Sequence, residues 1–337
     1  MREIILHIGL PKTATTTLQK SVFFELMELG IAEAIGLYGL CGPLENEKRK
    51  YFDLMKKLMY QTHENNSDSV SELKILFDNL INSIDERKLI IFSYENLSIS
   101  NWSTLWPGKY VDVDKTILLM KEMLKGYKIK LICCVRRQSS LIESFYYESI
   151  GRSGNPNSKK YEDVRTHAAN IKSSFIGRMY DYEKTISSYI AELSCVGTYF
   201  YMFEDFQKNP EAIILDILRF AGIPDSRQLA CRNHIPYENV KTKKGDEMII
   251  RTWSPILEMV NKYLGHMLKK IFYILGIEKH ARKIYSLMFK EKNIRMLTKE
   301  ESNAVQHAYY EECERLVARG YFDRNKLMEN GYYVDAD

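Results

Sequence analysis

One segment constrains the fold of this chain more than any other, the run Gly9-Leu10-Pro11-Lys12-Thr13-Ala14-Thr15-Thr16-Thr17. It follows a short apolar stretch and precedes a helical pattern. A strand that turns tightly into a helix exposes unpaired backbone N–H groups and the positive end of the helix dipole, and both favour an oxyanion. Lys12 adds a mobile positive charge. The segment therefore predicts an anion-binding loop, and a nucleotide phosphate is the expected anion.

The spacing of the loop separates it from the Walker type. A Walker loop requires Gly-x-x-x-x-Gly-Lys-[Ser/Thr], whereas Lys12 lies three residues after Gly9 and no glycine precedes it directly. The pattern Gly-x-x-Lys-Thr-x-Thr-Thr-x-Leu-Gln resembles the 5′-phosphosulfate loop of sulfotransferases that use 3′-phosphoadenosine 5′-phosphosulfate (PAPS). The alternative is a Thr-rich cap on an ordinary helix, but a cap needs one hydroxyl and no lysine.

A second signal lies near the middle of the chain. Residues 129–135 form an apolar, β-prone run of the kind that is buried in a parallel sheet, and Arg136-Arg137-Gln138 follows it. Ser144 stands eight residues after Arg136 on a predicted helix, so the two side chains could hold one phosphate together. The same family has such an Arg and Ser-x-Tyr element for the 3′-phosphate of the cofactor. The Arg-Arg-Gln opening resembles the family's bacterial carbohydrate-modifying branch.

Strand and helix patterns alternate along residues 1–225, which predicts an α/β fold with a mostly parallel central sheet flanked by helices. The resemblance implies the P-loop nucleoside-kinase-like fold of sulfotransferases over this range. Strands are predicted near 3–9, 88–93, 129–135 and 197–203, with a helical insertion over about 36–86. Residues 226–337 are predicted to be a mostly helical C-terminal region that packs on the core as one structural unit.

Composition and cysteine usage indicate an intracellular globular protein. Hydrophobic residues make up 45% of the chain, and the formal net charge of +4 is too small to indicate nucleic-acid binding. The six cysteines lack metal-ligand spacing, so we expect reduced, mostly buried side chains. Cys133 and Cys134, adjacent in a strand, are expected to point to opposite faces of the sheet. We find no signal peptide and no apolar run of spanning length, which predicts a cytoplasmic, bacterial protein.

One basic segment has two interpretations. Residues 262–295 contain nine Lys/Arg against two Glu, among apolar residues at helical spacing. The first interpretation is a solvated basic face on packed helices. The second is a surface that makes peripheral contact with anionic lipid or an acidic polymer.

The resemblance assigns roles to individual residues. Lys12 is expected to stabilise the bridging oxygen of the leaving group, and Arg136 with Ser144 to bind the 3′-phosphate. The remaining cofactor-binding residues implied for the loop are Thr13, Ala14, Thr15, Thr16 and Thr17. No metal is implied, because the loop supplies the positive charge. Ala14 departs from the family, in which glycine is common, and its methyl group is tolerable if φ stays negative.

A base must take the proton of the acceptor hydroxyl. Glu95 is the leading candidate, because it follows an apolar strand at the carboxyl end, where ligands collect in open α/β sheets. The carbohydrate branch of the family often has a glutamate at such a position. His167 and His234 are the alternatives, and His7 is expected to be a hydrogen-bonded core residue.

The expected function is transfer of the sulfuryl group of PAPS to a hydroxyl of a carbohydrate or glycolipid, which leaves adenosine 3′,5′-bisphosphate. One rival is a small-molecule kinase with a degenerate phosphate loop, which would require magnesium and leaves the Arg136 and Ser144 pair unexplained. Another rival is a non-catalytic nucleotide-binding scaffold. The acceptor, the hydroxyl that is sulfated and the oligomeric state stay open.

Overall fold

A parallel sheet forms the centre of the molecule. The computed structural model describes residues 1–10, 12–36, 44–60, 67–102, 109–151, 164–223, 243–244, 247–253 and 289–334. The strands in chain order are β1 (Glu3–His7), β2 (Ala32–Gly36), β3 (Leu89–Ser93), β4 (Asn101–Trp102), β5 (Tyr110–Val111), β6 (Lys128–Val135), β7 (Gly197–Met202), β8 (Lys243–Lys244), β9 (Glu247–Trp253) and β10 (Phe289–Arg295). Five of them form an all-parallel sheet of order β2-β3-β1-β6-β7. The predicted α/β architecture is confirmed.

Helices connect the parallel strands and cover both faces of the sheet. Helix α1 has three consecutive segments, Thr15–Thr17, Leu18–Phe23 and Phe24–Glu28, of which the middle one is π-helical. The others are α2 (Glu45–Met59), α3 (Ser67–Ser83), α4 (Val113–Leu124), α5 (Gln138–Gly151), α6 (Val164–Ile171), α7 (Tyr182–Leu193), α8 (Phe203–Lys208), α9 (Pro210–Phe220), α10 (Lys299–His307), α11 (Tyr310–Ala318) and α12 (Arg324–Glu329). In the described part of the chain, 3₁₀ turns span Glu95–Ser98 and Phe175–Tyr180.

Local signals explain where several helices begin. The Asn209 side chain accepts a hydrogen bond from the backbone N–H of Ala212, and Pro210 occupies the first turn of α9, where its missing N–H costs nothing. Thr298 and Glu301 form a reciprocal capping box at the start of α10.

The sheet is buried on both faces, as strand β6 illustrates. Cys133 packs into the larger hydrophobic cluster, on the side of α2, α3, α4 and α7, whereas Cys134 packs into a second cluster with α1, α8 and α9. The predicted opposite orientation of these two cysteines is confirmed. Alternation along a strand, with apolar residues on both faces, is the pattern of a parallel sheet covered by helices on each side.

The C-terminal helices pack on the larger cluster. Leu316, Leu327 and Tyr332 are almost fully buried and share that cluster with residues of β1 and β6. The described residues also include an antiparallel sheet, β8-β9-β10, which the sequence did not predict. Most of the basic segment 262–295 lies outside the described residues.

Strand β2 is an edge strand that the sequence did not predict as such. Its sequence, Ala-Glu-Ala-Ile-Gly, contains a charged residue, Glu33, that is 5% exposed. The buried Lys48 ammonium of α2 pairs with this carboxylate, and Lys88 contacts its other oxygen at 3.4 Å. Lys48, 15 residues away in the chain, thus compensates the charge of Glu33 in this buried strand. No helix in the described part of the chain is long and apolar enough to cross a membrane.

Candidate active site

The loop between β1 and α1 is held in shape by its own hydroxyl groups. Thr13 and Thr15 are buried, and the Oγ1 atoms of both donate to the carbonyl oxygen of Leu10, Thr15 at 3.3 Å. Thr17 is also buried, whereas Thr16 is half-exposed. The threonine-rich sequence therefore serves first to close the loop on itself.

Two residues of the loop have left-handed backbone conformations, Lys12 with φ 68° and Ala14 with φ 59°. The negative φ that would make the Ala14 methyl group harmless is not found, because the chain reverses direction here. An L-residue in this region costs roughly 1–2 kcal/mol, and such strain clusters at functional sites. Alternating backbone conformations of this kind turn successive N–H groups toward one point and form concave anion sites.

Gly9 is required where the loop leaves the sheet. A Cβ atom at this position would lie 2.9 Å from Oγ1 of Thr15 and 3.0 Å from Nε2 of His7. The first contact is too close for a carbon atom and the second is tight, so glycine lets the loop approach the end of β1 without displacing these side chains.

Arg136 extends from the end of β6 to this loop. Its Nη1 donates to the carbonyl oxygen of Lys12 at 2.8 Å, and its Nε donates to Oγ of Ser140 at 2.9 Å. The guanidinium carbon lies 4.5 Å from the ring centroid of Phe203. Burial lowers the pKa of Arg136, although a guanidinium keeps its charge at any physiological pH. The structure thus brings together two residues that the sequence predicted for one site.

Arg136 contacts a further serine, Ser140, which the sequence did not predict. Ser144 lies one helical turn further along α5, on the same face. Both side chains are half-buried. The four-residue spacing of Arg136 and Ser140 was visible in the sequence, but only the tertiary position of the arginine shows which hydroxyl it reaches.

Glu95 lies at the same edge of the sheet. It opens the 3₁₀ turn directly after β3, and its side chain is half-buried. Oγ of Ser98, in the same turn, is 3.5 Å from the carbonyl oxygen of Gly9. Because β3, β1 and β6 are neighbours in the sheet, Glu95, Lys12 and Arg136 follow the carboxyl ends of three adjacent strands.

His7 is a hydrogen-bonded core residue, as predicted. Its Nδ1 pairs with Oγ of Ser93 at 2.8 Å, and Nε2 of Gln19 donates to the same hydroxyl at 2.9 Å. Burial lowers the pKa of His7 to about 4, so the ring is neutral. The two alternative bases fall beyond what the structure describes, since the side chain of His167 and all of His234 lie outside the described residues.

A comparison with protein-family models identifies the family of the chain. The model of the sulfotransferase domain family matches residues 3–254, three quarters of the chain. The chain belongs to the sulfotransferase family. Membership of this family confirms that the chain is an enzyme that transfers sulfuryl groups. It contradicts the two alternatives, a kinase and a non-catalytic scaffold. Lys12, Glu95 and Arg136 all lie in the matched range, whereas α10, α11 and α12 lie beyond it.

Three solved structures of sulfotransferases are among those similar to this chain. One is from Alicyclobacillus acidocaldarius, with 11% identity and TM-score 0.40, and covers 82% of this chain and 96% of that one. Mouse sulfotransferase SULT7A1 complexed with PAP has 13% identity and TM-score 0.38, over 73% and 68% of the two chains. The sulfotransferase domain from the curacin biosynthetic pathway has 14% identity and TM-score 0.38, over 71% and 81%. No curated protein sequence matches the chain.

Proposed function

We propose that this sulfotransferase uses PAPS as its donor and a hydroxyl group of a carbohydrate or glycolipid as its acceptor. One observation carries the proposal: a lysine, an arginine and a glutamate follow three adjacent strands at one edge of the sheet. Two cationic side chains suit a donor with phosphate groups at two positions, and the carboxylate suits an acceptor that must lose a proton.

The residues of the loop fit a nucleotide phosphate. Gly9 lets the backbone approach closely, and the left-handed residues Lys12 and Ala14 shape a concave backbone before the first turn of α1. We assign the 5′-phosphate to Lys12 and the backbone of residues 13–17, and the 3′-phosphate to Arg136 and Ser144.

When bound, PAPS supplies an activated sulfuryl group. The acceptor oxygen forms a bond to sulfur, and the bond from sulfur to the bridging 5′-phosphate oxygen breaks. Lys12 neutralises the charge that grows on this oxygen, and Glu95 takes the proton of the acceptor hydroxyl. By analogy with phosphoryl transfer, the protein mainly positions the reactants and stabilises charge.

The acceptor class rests on the resemblance to the carbohydrate-modifying branch and on Glu95 as the base.

We further propose that residues 1–225 form the core and that residues 226–337 pack on it. A cytoplasmic, bacterial setting is consistent with free thiols at all described cysteines, which are Cys133, Cys134, Cys195 and Cys313. Segment 262–295 is proposed to meet anionic lipid, and co-sedimentation with anionic but not neutral vesicles is its test.

The direct test is a transfer assay with ³⁵S-labelled PAPS and a panel of carbohydrate and glycolipid acceptors. We expect label on a sugar hydroxyl, with transfer strongly reduced in Lys12→Ala and unchanged in Lys20→Ala. Lys20 is a suitable control because it is an exposed lysine of α1. Label on phenols or amines alone would contradict the acceptor class, and no transfer from PAPS to any acceptor would contradict the donor.

A further inference from the structure

The C-terminal helices contact the turn that carries Arg136. These helices, α10 to α12, lie beyond the matched sulfotransferase domain. Gln306 of α10 and Tyr332, just after α12, are each 1% exposed. Both side chains are buried at the junction of β6 and α5, where they hydrogen-bond to Ser139 and to Glu204.

Gln306 is bonded through both ends of its amide. Its Oε1 accepts a hydrogen bond from the backbone N–H of Ser139 at 3.2 Å. Its Nε2 donates to Oε1 of Gln138 at 2.9 Å and to the carbonyl oxygen of Tyr332 at 3.2 Å. One buried side chain of the C-terminal helices therefore caps an N–H group in the first turn of α5, which would otherwise have no intrahelical acceptor.

Tyr332 reaches the same turn through Glu204. The Tyr332 hydroxyl donates to Oε2 of Glu204 at 3.1 Å, and Oε1 of Glu204 accepts from the backbone N–H of Arg137 at 3.0 Å. Burial raises the pKa of Glu204, while these two donors favour its charged form. Removing the hydroxyl would leave this largely buried carboxylate with a donor missing.

A third connection comes through Tyr182. Its hydroxyl donates to the carbonyl oxygen of Arg136 at 2.6 Å, and its backbone N–H donates to Oε1 of Glu312 in α11 at 2.5 Å. Backbone groups of residues 136, 137 and 139 are thus hydrogen-bonded to Tyr182, Glu204 and Gln306. Gln306 belongs to the C-terminal helices, and the other two residues are hydrogen-bonded to Glu312 and Tyr332. The backbone from which the Arg136 side chain projects is therefore held by hydrogen bonds that lead to the C-terminal helices.

We propose that Gln306 and Tyr332 are positioning residues for Arg136, so that the C-terminal helices set the affinity of the enzyme for the 3′-phosphate of its donor. The inference rests on the proposed function, in which Arg136 binds that phosphate. Small displacements of a charged group weaken a bond to phosphate strongly, because such bonds depend on direction and distance.

The experiment measures the affinities of the full chain for adenosine 3′,5′-bisphosphate and for 5′-AMP by calorimetry. The ratio of the two isolates the 3′-phosphate, and a general loss of stability does not change it. The variants are Tyr332→Phe and Gln306→Met, which remove polar atoms and nearly keep the volume. The control is Tyr309→Phe, because the Tyr309 hydroxyl is buried with no hydrogen-bond partner among the described residues.

In wild type we expect the bisphosphate to bind much more tightly than 5′-AMP. Each of the two variants should lower this preference by about three- to tenfold, and Tyr309→Phe should leave it unchanged. A preference that stays at the wild-type value in both variants would overturn the positioning role alone. Equal loss of affinity for both nucleotides would overturn it as well. Equal affinities already in wild type would overturn the proposed donor site, and the positioning role with it.

Discussion

Arg136 donates a hydrogen bond from Nη1 to the carbonyl oxygen of Lys12 at 2.8 Å, although 124 positions separate the two residues in the chain. Lys12 has a left-handed backbone, so its peptide group needs support from outside the loop. The arginine assigned to the 3′-phosphate therefore holds the backbone of the lysine assigned to the 5′ side. If both assignments hold, one hydrogen bond joins the residues of the two phosphate positions.

Arg136→Ala should weaken binding of adenosine 3′,5′-bisphosphate by roughly 1.5–3 kcal/mol, the contribution of a charge-assisted hydrogen bond. Binding of 5′-AMP should weaken less, through the lost support of Lys12. Calorimetry with both nucleotides measures the difference, and Arg219→Ala is the control, since Arg219 forms an exposed ion pair on α9. An equal effect on both nucleotides would contradict the assignment of the 3′-phosphate to Arg136.

Lys12→Ala should reduce turnover by roughly 10²–10³-fold, the usual effect of removing a group that stabilises developing charge. Binding of the product nucleotide should change less, because charge on the bridging oxygen is greatest in the transition state. Single-turnover kinetics at saturating PAPS separate the two effects. Normal turnover under those conditions would show that Lys12 serves binding alone.

Glu95→Gln should remove most transfer activity and leave nucleotide affinity nearly intact, since an amide cannot accept the acceptor's proton. General-base catalysis typically contributes 10²–10⁴-fold. Rate measurements on this variant are compared with Glu28→Gln, at an exposed carboxylate of α1. If Glu95→Gln keeps most of the activity, the base lies elsewhere, and His167 and His234 become the next positions to change.

The sequence predicted the parallel strands and the two charged loops because these depend on local patterns. Apolar runs mark β1, β3, β6 and β7, and the glycine, lysine and threonine spacing marks the first loop. It did not predict β2 as a strand, because the charged Glu33 in it is paired with Lys48 and Lys88, which lie elsewhere in the chain.

Tertiary packing explains the other omissions. The Arg136 guanidinium lies over the Phe203 ring and donates to Ser140. Gln306 accepts from the backbone of Ser139, 167 positions away in the chain. The four-residue spacing of Arg136 and Ser140 is visible in the sequence, but their hydrogen bond is not, and the contact of Gln306 leaves no mark in the local sequence. The left-handed conformation of Ala14 was also hidden, because alanine gives no sign of a positive φ.

Ala14→Gly should stabilise the protein by up to about 1 kcal/mol. Relief of the left-handed strain, roughly 1–2 kcal/mol, exceeds the entropy that glycine adds to the unfolded chain, about 0.4–1 kcal/mol. Urea unfolding measures the change. The matched control is Ala304→Gly, in the exposed interior of α10, which should destabilise by about 1 kcal/mol. The same destabilisation at both positions would show that Ala14 carries no strain.

His7 should make the stability of the enzyme depend on pH. Its pKa is about 4 in the folded protein because of burial, against the ordinary value of 6.5. Between these values the unfolded chain binds more protons than the native state, so stability rises with pH. The contribution of His7 is complete above pH 6.5 and is lost as the pH falls toward 4.

The measurement is urea unfolding of wild type and His7→Asn between pH 5 and pH 7.5. Asparagine keeps a polar atom near the position of Nδ1, where it can pair with Ser93, and it does not titrate. The stability advantage of wild type over the variant should shrink by about 2 kcal/mol from pH 7.5 to pH 5. The subtraction removes the titration of other buried groups, such as Glu204, that both proteins share. The same stability advantage at both pH values would contradict a neutral His7 beneath the loop. It would mean that water or a charged partner stabilises the protonated imidazole ring of His7.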